Sequence, residues 1–424
     1  MTGLWRHGDF LKLWSAQTIS LVGTQVTALA LPLTAILYLR ASPFEIGLLA
    51  SLQYLPFLLI GLPAGSIVDR LRRLPVMIWA DAGRAALLVS VPVTAWFGVL
   101  HLGMLYPVAF AVGVLSVFFD VAVQSYLPSV VAGEEIVTAN ARLELSYSGS
   151  QLAGPGIGGV LVQLLSAPIA VLADVGSYVG SMVLLLLIRR REPAPQGTGR
   201  MVDLRRLGGD IAAGLRFVLR HRLIRPLAFA TGTANFFYLL GMVGAVLALF
   251  AVRELHMTPV LLGVVLLLGN VGAVAGSLAS TWILAHVRFG TLLVVMPLSA
   301  AVGIACVALA TPATAVPLIA AGVVIGEFGT TVYDIGQLSL RQAVTPSDLL
   351  GRMNATVRFI NWGPIPIGAF VGGVLGQLVG LRPVLWVAAV GCLLPAVPLV
   401  LSAVRRLTSM PTEMAPSSTG VASE

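Results

Sequence analysis

The chain has 424 residues, of which 57% are hydrophobic and only 10% charged, with a formal net charge of +8. A soluble domain carries about 25% charged residues, and a soluble protein this apolar would leave large apolar patches in water. The composition therefore excludes an ordinary soluble globular protein. The arginines sit mostly in short links between apolar runs, as topology signals do, and do not form a nucleic-acid-binding surface.

Apolar runs of about 20 residues, the length that crosses a bilayer, recur from one end of the chain to the other. They are rich in Gly and Pro, which bilayer helices tolerate. Strand alternation is absent, which argues against a β-barrel. The runs place twelve spans at 11–39, 43–68, 75–100, 103–127, 141–166, 168–189, 225–252, 259–285, 290–310, 313–340, 354–380 and 383–404. The start of the chain lacks a cleavable signal pattern, and the first apolar run is too long for one. The fold expected is an all-α membrane protein with twelve transmembrane helices in two six-helix pseudo-symmetric bundles. Residues 1–190 would form the N-terminal bundle, 191–224 a cytoplasmic linker, 225–408 the C-terminal bundle and 409–424 a disordered tail.

Positive charge sets the orientation. With both termini in the cytoplasm, that side receives Arg6, Lys12, Arg70, Arg72, Arg73, Arg142, the cluster from Arg189 to Arg225, Arg288, Arg341, Arg352, Arg358, Arg405 and Arg406. The other side receives Arg40, Arg253 and Arg382. The positive-inside rule then predicts cytoplasmic termini. Abundant Arg, Ala, Gly and Val point to a GC-rich bacterial genome, so the membrane expected is the bacterial plasma membrane.

Span two ends in the run GSIVDRLRR at 65–73. Gly65 permits close helix approach. Asp69 can accept hydrogen bonds from a helix N-terminus of the other half. Arg70 and Arg73 face the anionic inner surface of the membrane and its lipids. A simple basic stop signal would not require the Gly and the Asp. The run resembles the signature after the second helix of the major facilitator superfamily, G-x-x-x-D-R-x-G-R-[RK], departing from it at Arg72 and Leu74. In span three, Asp81 and Arg84 are three residues apart on one helix and can pair, bracing this gate.

The stretch 118–141 (FFDVAVQSYLPSVVAGEEIVTANA) and the stretch 340–355 (LRQAVTPSDLLGRMNA) look like the links between spans four and five and spans ten and eleven in one branch of that superfamily. This is the macrolide-efflux and enterobactin-exporter-like branch. The resemblance covers nearly the whole chain. It implies efflux of a drug or metabolite driven by proton entry, in a branch that exports macrolides, other antibiotics, siderophores and lipids. Gly154-Pro155-Gly156-Ile157-Gly158-Gly159 in span five resembles the Gly/Pro-rich motif of antiporters in the superfamily; physically it allows close packing with a kink.

The link 190–224 is the only long one. After a break at 193–199, residues 202–222 mix Arg with apolar residues at helical spacing, which predicts a basic amphipathic helix on the inner membrane surface.

The two halves repeat. A shift of 214 residues aligns 119–164 with 333–378 without a gap: Asp120 meets Asp334, Asn140 meets Asn354, Gln163 meets Gln377, and Gly154, Gly158 and Gly159 meet Gly368, Gly372 and Gly373. A weaker match, with two more residues of offset, puts Ser42-Pro43 and Gly47 on Thr258-Pro259 and Gly263. Shared apolar composition would not readily match Asp, Asn, Gln and Gly in one register. Transporters built as two such halves hold substrate between them near the midplane and rock one half against the other.

Ionisable groups inside spans are costly and usually functional. Glu327 lies near the centre of span ten with no basic residue one turn away; burial favours a protonated carboxyl, so it is the first choice for proton coupling. Asp120 and Asp334 are repeat mates that either brace the gate or carry protons. Asp174 is placed nearer the outer end of span six, where water or capping satisfies it. Glu144 and Arg358 occupy equivalent repeat positions with opposite charge. They suggest two latches that break when the inner side opens: Asp69 with Arg358 or the start of span eleven, and Glu144 with His286 or Arg288. Gln25, Asn235, Tyr238, Asn270, Asn361 and Trp362 are candidates to line the substrate cavity.

The expected function is secondary active export of a small amphipathic molecule by proton antiport. No Walker loop is present, so ATP is not expected to power it directly, and no triad spacing suggests an enzyme. No CxxC or His/Cys metal spacing exists. No cofactor or metal is expected. The partners expected are a small-molecule substrate, protons and membrane lipids, with no nucleic acid, acting on a monomer. Alternative readings are a proton-coupled importer or a lysolipid translocator, which use the same alternating access, and a non-transporting membrane sensor.

Overall fold

The computed structural model describes residues 7–68, 70–131, 135–189, 204–241, 246–346 and 349–409. The first six long helices are α1 (Gly8–Tyr38), α2 (Pro43–Val68), α3 (Arg73–Trp96), α4 (Leu102–Val130), α5 (Glu135–Leu165) and α6 (Ala167–Leu186). A shorter helix, α7 (Leu204–Arg220), precedes the second set. That set is α8 (Ile224–Gly241, resumed at Val246–Leu249 and Phe250–Glu254), α9 (Pro259–His286) and α10 (Phe289–Leu309), then α11 (Ala315–Val344), α12 (Leu350–Trp362 and Pro364–Val379) and α13 (Leu381–Val400).

Among the described residues, eleven helices are long and apolar enough to cross a membrane. The twelfth span is α5. Its 31 residues reach about 46 Å, ample for the bilayer, but its first half carries Arg142 and Glu144. The helices begin and end within a few residues of the expected spans, except that α5 starts at Glu135.

The halves pack alike. In the first, α1 lies on α5 and α6, α2 on α4, and α3 on α4 and α6. In the second, α8 lies on α12 and α13, α9 on α11, and α10 on α11 and α13. The halves meet where α2 packs on α12 and α5 on α9, a pair of contacts that the same symmetry exchanges.

The repeat extends into backbone detail. The last turns of α1 and α8 are π-helical at Thr34–Tyr38 and Phe250–Glu254. Each is followed by a residue with positive φ, Arg40 at 55° and His256 at 54°. Such a conformation is uncommon for a side chain larger than glycine's, so its recurrence at matched positions is a shared device for turning the chain. The next helices start on the Ser42-Pro43 and Thr258-Pro259 pairs. Ser42 and Glu45 form a reciprocal capping box, with Ser42 N–H donating to Glu45 Oε2 at 2.7 Å and Glu45 N–H to Ser42 Oγ at 3.3 Å. Thr258 Oγ1 caps α9 by accepting from Leu261 N–H at 3.3 Å. Proline at the first helical position loses no intrahelical bond there.

The surface between the two ends is apolar. Trp79, Leu278 and Leu401 are 75, 79 and 81% exposed. In water that would be a liability; in a bilayer it is the lipid-facing wall.

Helix α7 matches the helical spacing of 202–222, with one addition. It docks on the first half of α12. Val218 is fully buried with Ile224, Ala228, Met353 and Val357. Gly214 abuts α12 so closely that a methyl there would lie 2.7 Å from Arg352 O. Arg216 and Arg220 remain exposed. Residues 191–203 of the linker and 410–424 of the tail lie outside the described residues.

Candidate translocation site

A cavity of about 380 Å³ lies between the halves, walled by α1, α2 and α5 on one side and α8, α9 and α11 on the other. That volume is at the small end of sites for drug-sized ligands. Its wall is mostly aliphatic, with Gln25, Gln53, Gln151, Asn270, Tyr238 and Glu327 as polar points. Gln25 Nε2 donates to Gln151 Oε1. Gln151 Nε2 donates to Tyr147 OH at 3.0 Å. Asn270 Nδ2 crosses between the halves to Gln151 O at 2.7 Å.

Glu327 sits on α11 beside Gly269 of α9, against which Val323, one turn before it, packs so closely that a methyl at Gly269 would clash with Val323 Cγ1. Tyr238 OH donates to Glu327 Oε1 at 2.6 Å, a short hydrogen bond. Among the described residues no basic side chain pairs with Glu327. It is therefore a carboxyl in a cavity wall whose charge no fixed cation balances.

The halves close tightly at the end remote from the basic links. A methyl on Gly47 of α2 would lie 2.6 Å from Gly373 Cα of α12, and one on Gly159 of α5 would lie 2.5 Å from Pro259 O and 3.1 Å from Gly263 Cα of α9. Side chains add to this seal. Arg253 Nη2 donates to Ala41 O at 2.6 Å, and Val260 N–H to Gln163 Oε1 at 3.3 Å.

Toward the basic end a second cavity, of about 310 Å³, opens between α2, α4 and α12. Asp120, Gln124, Asn354, Arg358 and Trp362 line it. The Arg358 guanidinium lies 5.6 Å from the centre of the Trp362 ring, whose other neighbour is Phe57 at 5.8 Å.

The family-model comparison decides what this pair of halves is: residues 13–362 match the model of the Major Facilitator Superfamily. The chain belongs to that superfamily. The multidrug efflux pump Tap of Mycolicibacterium fortuitum is 25% identical over 389 residues, 89% of this chain and 91% of that protein. The enterobactin exporter EntS of Salmonella typhi is 26% identical over 381 residues, 88% of this chain and 86% of that protein. Among solved structures, a bacterial homologue of the iron transporter ferroportin in its inward-facing state aligns over 94% of this chain and 99% of that one, with a TM-score of 0.68 and 17% identity. Its outward-facing state, over 92 and 98%, gives 0.57 at 16% identity. The superfamily is one of membrane transporters, not enzymes, and this fold is theirs.

Set in the superfamily frame, the predicted residues divide. Gln25, Tyr238, Asn270 and Glu327 line the central cavity together. Trp362 lines the lower one. Asn235 and Asn361 instead bind one another's helices, Asn235 Nδ2 donating to Asn361 O at 2.8 Å, and hold α8 to α12. Asp120 and Arg358 share the lower cavity, whereas Asp334, its repeat mate, accepts from Gln337 Nε2 at 2.9 Å on its own helix.

Among the described residues the expected Glu144 latch is not formed. Gly65 differs from expectation: a methyl there would meet no described atom within 4 Å, because the tight crossings lie at the other end of the molecule. Asp69 lies outside the described residues, and Arg70 is exposed with Arg73 half-buried. Glu144 is exposed. Among the described residues no ion pair joins Glu144 to His286 or Arg288; His286 stacks on Trp282 with ring centres 4.7 Å apart.

Asp174 needs the clearest correction. It is fully buried rather than satisfied by water, because α6 turns it inward against Gly23 of α1. Gln53, Tyr54 and Gln151 line the cavity without having been singled out in the sequence. For Gln53 and Gln151 the signal is a side-chain amide inside an apolar span.

Proposed function

We propose that this transporter exports a small amphipathic molecule from the bacterial cytoplasm, exchanging it for protons that enter through Glu327. The observation that carries the reading is the Tyr238–Glu327 pair, an unbalanced carboxyl held at 2.6 Å from a phenol in the wall of the cavity between the halves. A buried carboxylate is costly, so binding a proton or binding a cationic substrate each relieves the same charge. One group that either ligand can neutralise, but not both at once, is what antiport requires.

The wall composition supports the substrate class. Most of the cavity is aliphatic, with a few amides and one acid. That suits a lipophilic cation or a neutral drug-like molecule better than a highly charged solute. The relatives whose names describe efflux agree in direction: Tap is a multidrug efflux pump and EntS an enterobactin exporter.

Under the positive-inside rule the basic links support an orientation with both termini and the lower cavity facing the cytoplasm. Closure at the opposite end then leaves the chain ready to take substrate from inside the cell. The test is accumulation of a panel of labelled antibiotics and dyes in an efflux-deficient bacterium expressing this protein, with and without a protonophore. Lower accumulation that the protonophore restores supports the proposal. No response across a broad panel contradicts the export reading.

A further inference from the structure

The interior of the N-terminal half holds charges that the central cavity does not use. Asp81 and Arg84 of α3 form an ion pair and are 0 and 3% exposed. The guanidinium is clamped between the Phe119 ring of α4 and the Tyr178 ring of α6, 4.3 and 4.2 Å from their centres. Asp174 of α6, also 0% exposed, lies within electrostatic reach of the same guanidinium. Asp120 of α4 does too, and it borders the lower cavity.

One buried cation thus faces three acids. Arg84 balances Asp81 and Arg358 lies within electrostatic reach of Asp120, so among the described residues Asp174 is the acid left without a cation of its own. An uncompensated buried charge costs several kcal/mol, roughly 3–5 when a buried pair is broken, so a mobile cation must neutralise it. Asp174 shows where. Its Oδ1 accepts from Ser177 Oγ at 2.9 Å. Its Oδ2 and the Thr27 Oγ1 that faces it from α1 are both buried and neither makes a hydrogen bond of normal geometry, although the Thr27 and Tyr178 hydroxyls both approach the carboxyl. Ser181 Oγ likewise approaches the Asp81 carboxylate, and neither it nor Asp81 Oδ2 makes a hydrogen bond of normal geometry. Around Asp174, α1 contributes Gly23, Thr24 and Thr27, α3 Asp81 and Arg84, α4 Asp120, and α6 its own Tyr178, whose OH is 3.0 Å from Thr24 Oγ1.

We propose that Asp174 is a second proton-binding group, inside the N-terminal half, filled and emptied separately from Glu327. Uptake forms one O–H bond at Asp174 Oδ2, with Thr27 Oγ1 as acceptor, and takes the proton from water; release returns it to water. Asp120 is the point where the cluster meets the lower cavity. Asp174 itself lies deeper, about 10 Å from the opposite end of α6, so the group faces the two sides of the membrane unequally. The inference deepens the proton-antiport reading and rests on it only for the use made of the proton.

The test is infrared difference spectroscopy of the purified full-length protein in lipid, titrated with acid in H₂O and D₂O. The wild type should show two protonated-carboxyl stretches that shift in D₂O. Asp174→Asn should remove one and Glu327→Gln the other. Thr27→Val, which keeps the carboxyl, should shift the Asp174 band without removing it, and serves if Asp174→Asn does not fold. A spectrum unchanged by both Asp174→Asn and Thr27→Val overturns the inference, whatever Glu327→Gln does. A band that sodium chloride abolishes at constant pH overturns it as well, because the site would then take sodium. A spectrum that Glu327→Gln leaves unchanged while Asp174→Asn removes a band sinks the coupling role of Glu327 and leaves Asp174 standing.

Discussion

Gly47 and Gly373 meet backbone to backbone across the two halves, so closely that a methyl on either would lie under 3 Å from the other's Cα. Gly159 and Gly263 make the symmetry-related contact. The seal remote from the basic links is thus built from four glycines, each standing where only a missing Cβ permits the crossing. Gly373→Ala should destabilise this closed arrangement by roughly 1–3 kcal/mol, about a 5- to 150-fold shift toward the form open at that end. Spin labels at the outer ends of α2 and α12 would report it as a longer distance population. An unchanged distribution would mean the helices accommodate the methyl.

The Asn270–Gln151 bond joins the halves at the level of the cavity. Interhelical hydrogen bonds in membranes contribute about 0.6 kcal/mol on average and up to about 1.7. Asn270→Leu should therefore shift the same labelled distances in the same direction as Gly373→Ala but by less, about three- to fifteenfold at most.

The Asp81–Arg84 pair gives a sharper contrast. Asp81→Ala leaves a guanidinium buried between two rings and should lower stability by about 3–5 kcal/mol. Replacing both residues with apolar ones of similar size should cost much less. Thermal unfolding in detergent measures both. Equal losses for the single and double variants would show that the two residues do not act as a pair.

Much of this was legible in the sequence, and the limits are physical. The spans, the repeat and the lone carboxyl at Glu327 follow from apolar run length, register and the absence of a nearby base. The repeat aligns Gly47 with Gly263 and Gly159 with Gly373. That Gly47 touches Gly373 is a tertiary fact, set by which helices of opposite halves cross, and no local pattern encodes it. Asp174 misled for the same reason: its depth along α6 suggested water, but the rotation of α6 against α1 decides what it faces. Gln151 escaped notice because its role runs partly through its backbone carbonyl, which every residue has.

A pH-dependent prediction concerns the junction of α7 and α8, outside the membrane. His221 Nδ1 accepts from Leu223 N–H at 3.3 Å and Ile224 N–H at 3.2 Å, capping α8. Burial lowers its pKa below the ordinary imidazole value. The unfolded junction therefore binds a proton more readily than the folded one. Its stability is full above about pH 6.5 and falls as pH drops through that value toward the lower folded pKa. Hydrogen exchange at Leu223 and Ile224 should speed up below about pH 6.5 relative to the intrinsic rate. His221→Asn, which keeps an acceptor that does not titrate in this range, should remove the acceleration.

The most direct test of proton-driven export is ethidium transport in proteoliposomes, wild type beside Glu327→Gln. An imposed pH gradient should drive concentrative ethidium movement by the wild type. Glu327→Gln should lose the gradient-driven component yet still equilibrate ethidium down its own gradient, because the cavity and both gates remain. Concentrative, pH-driven transport by Glu327→Gln at the wild-type level would contradict the account.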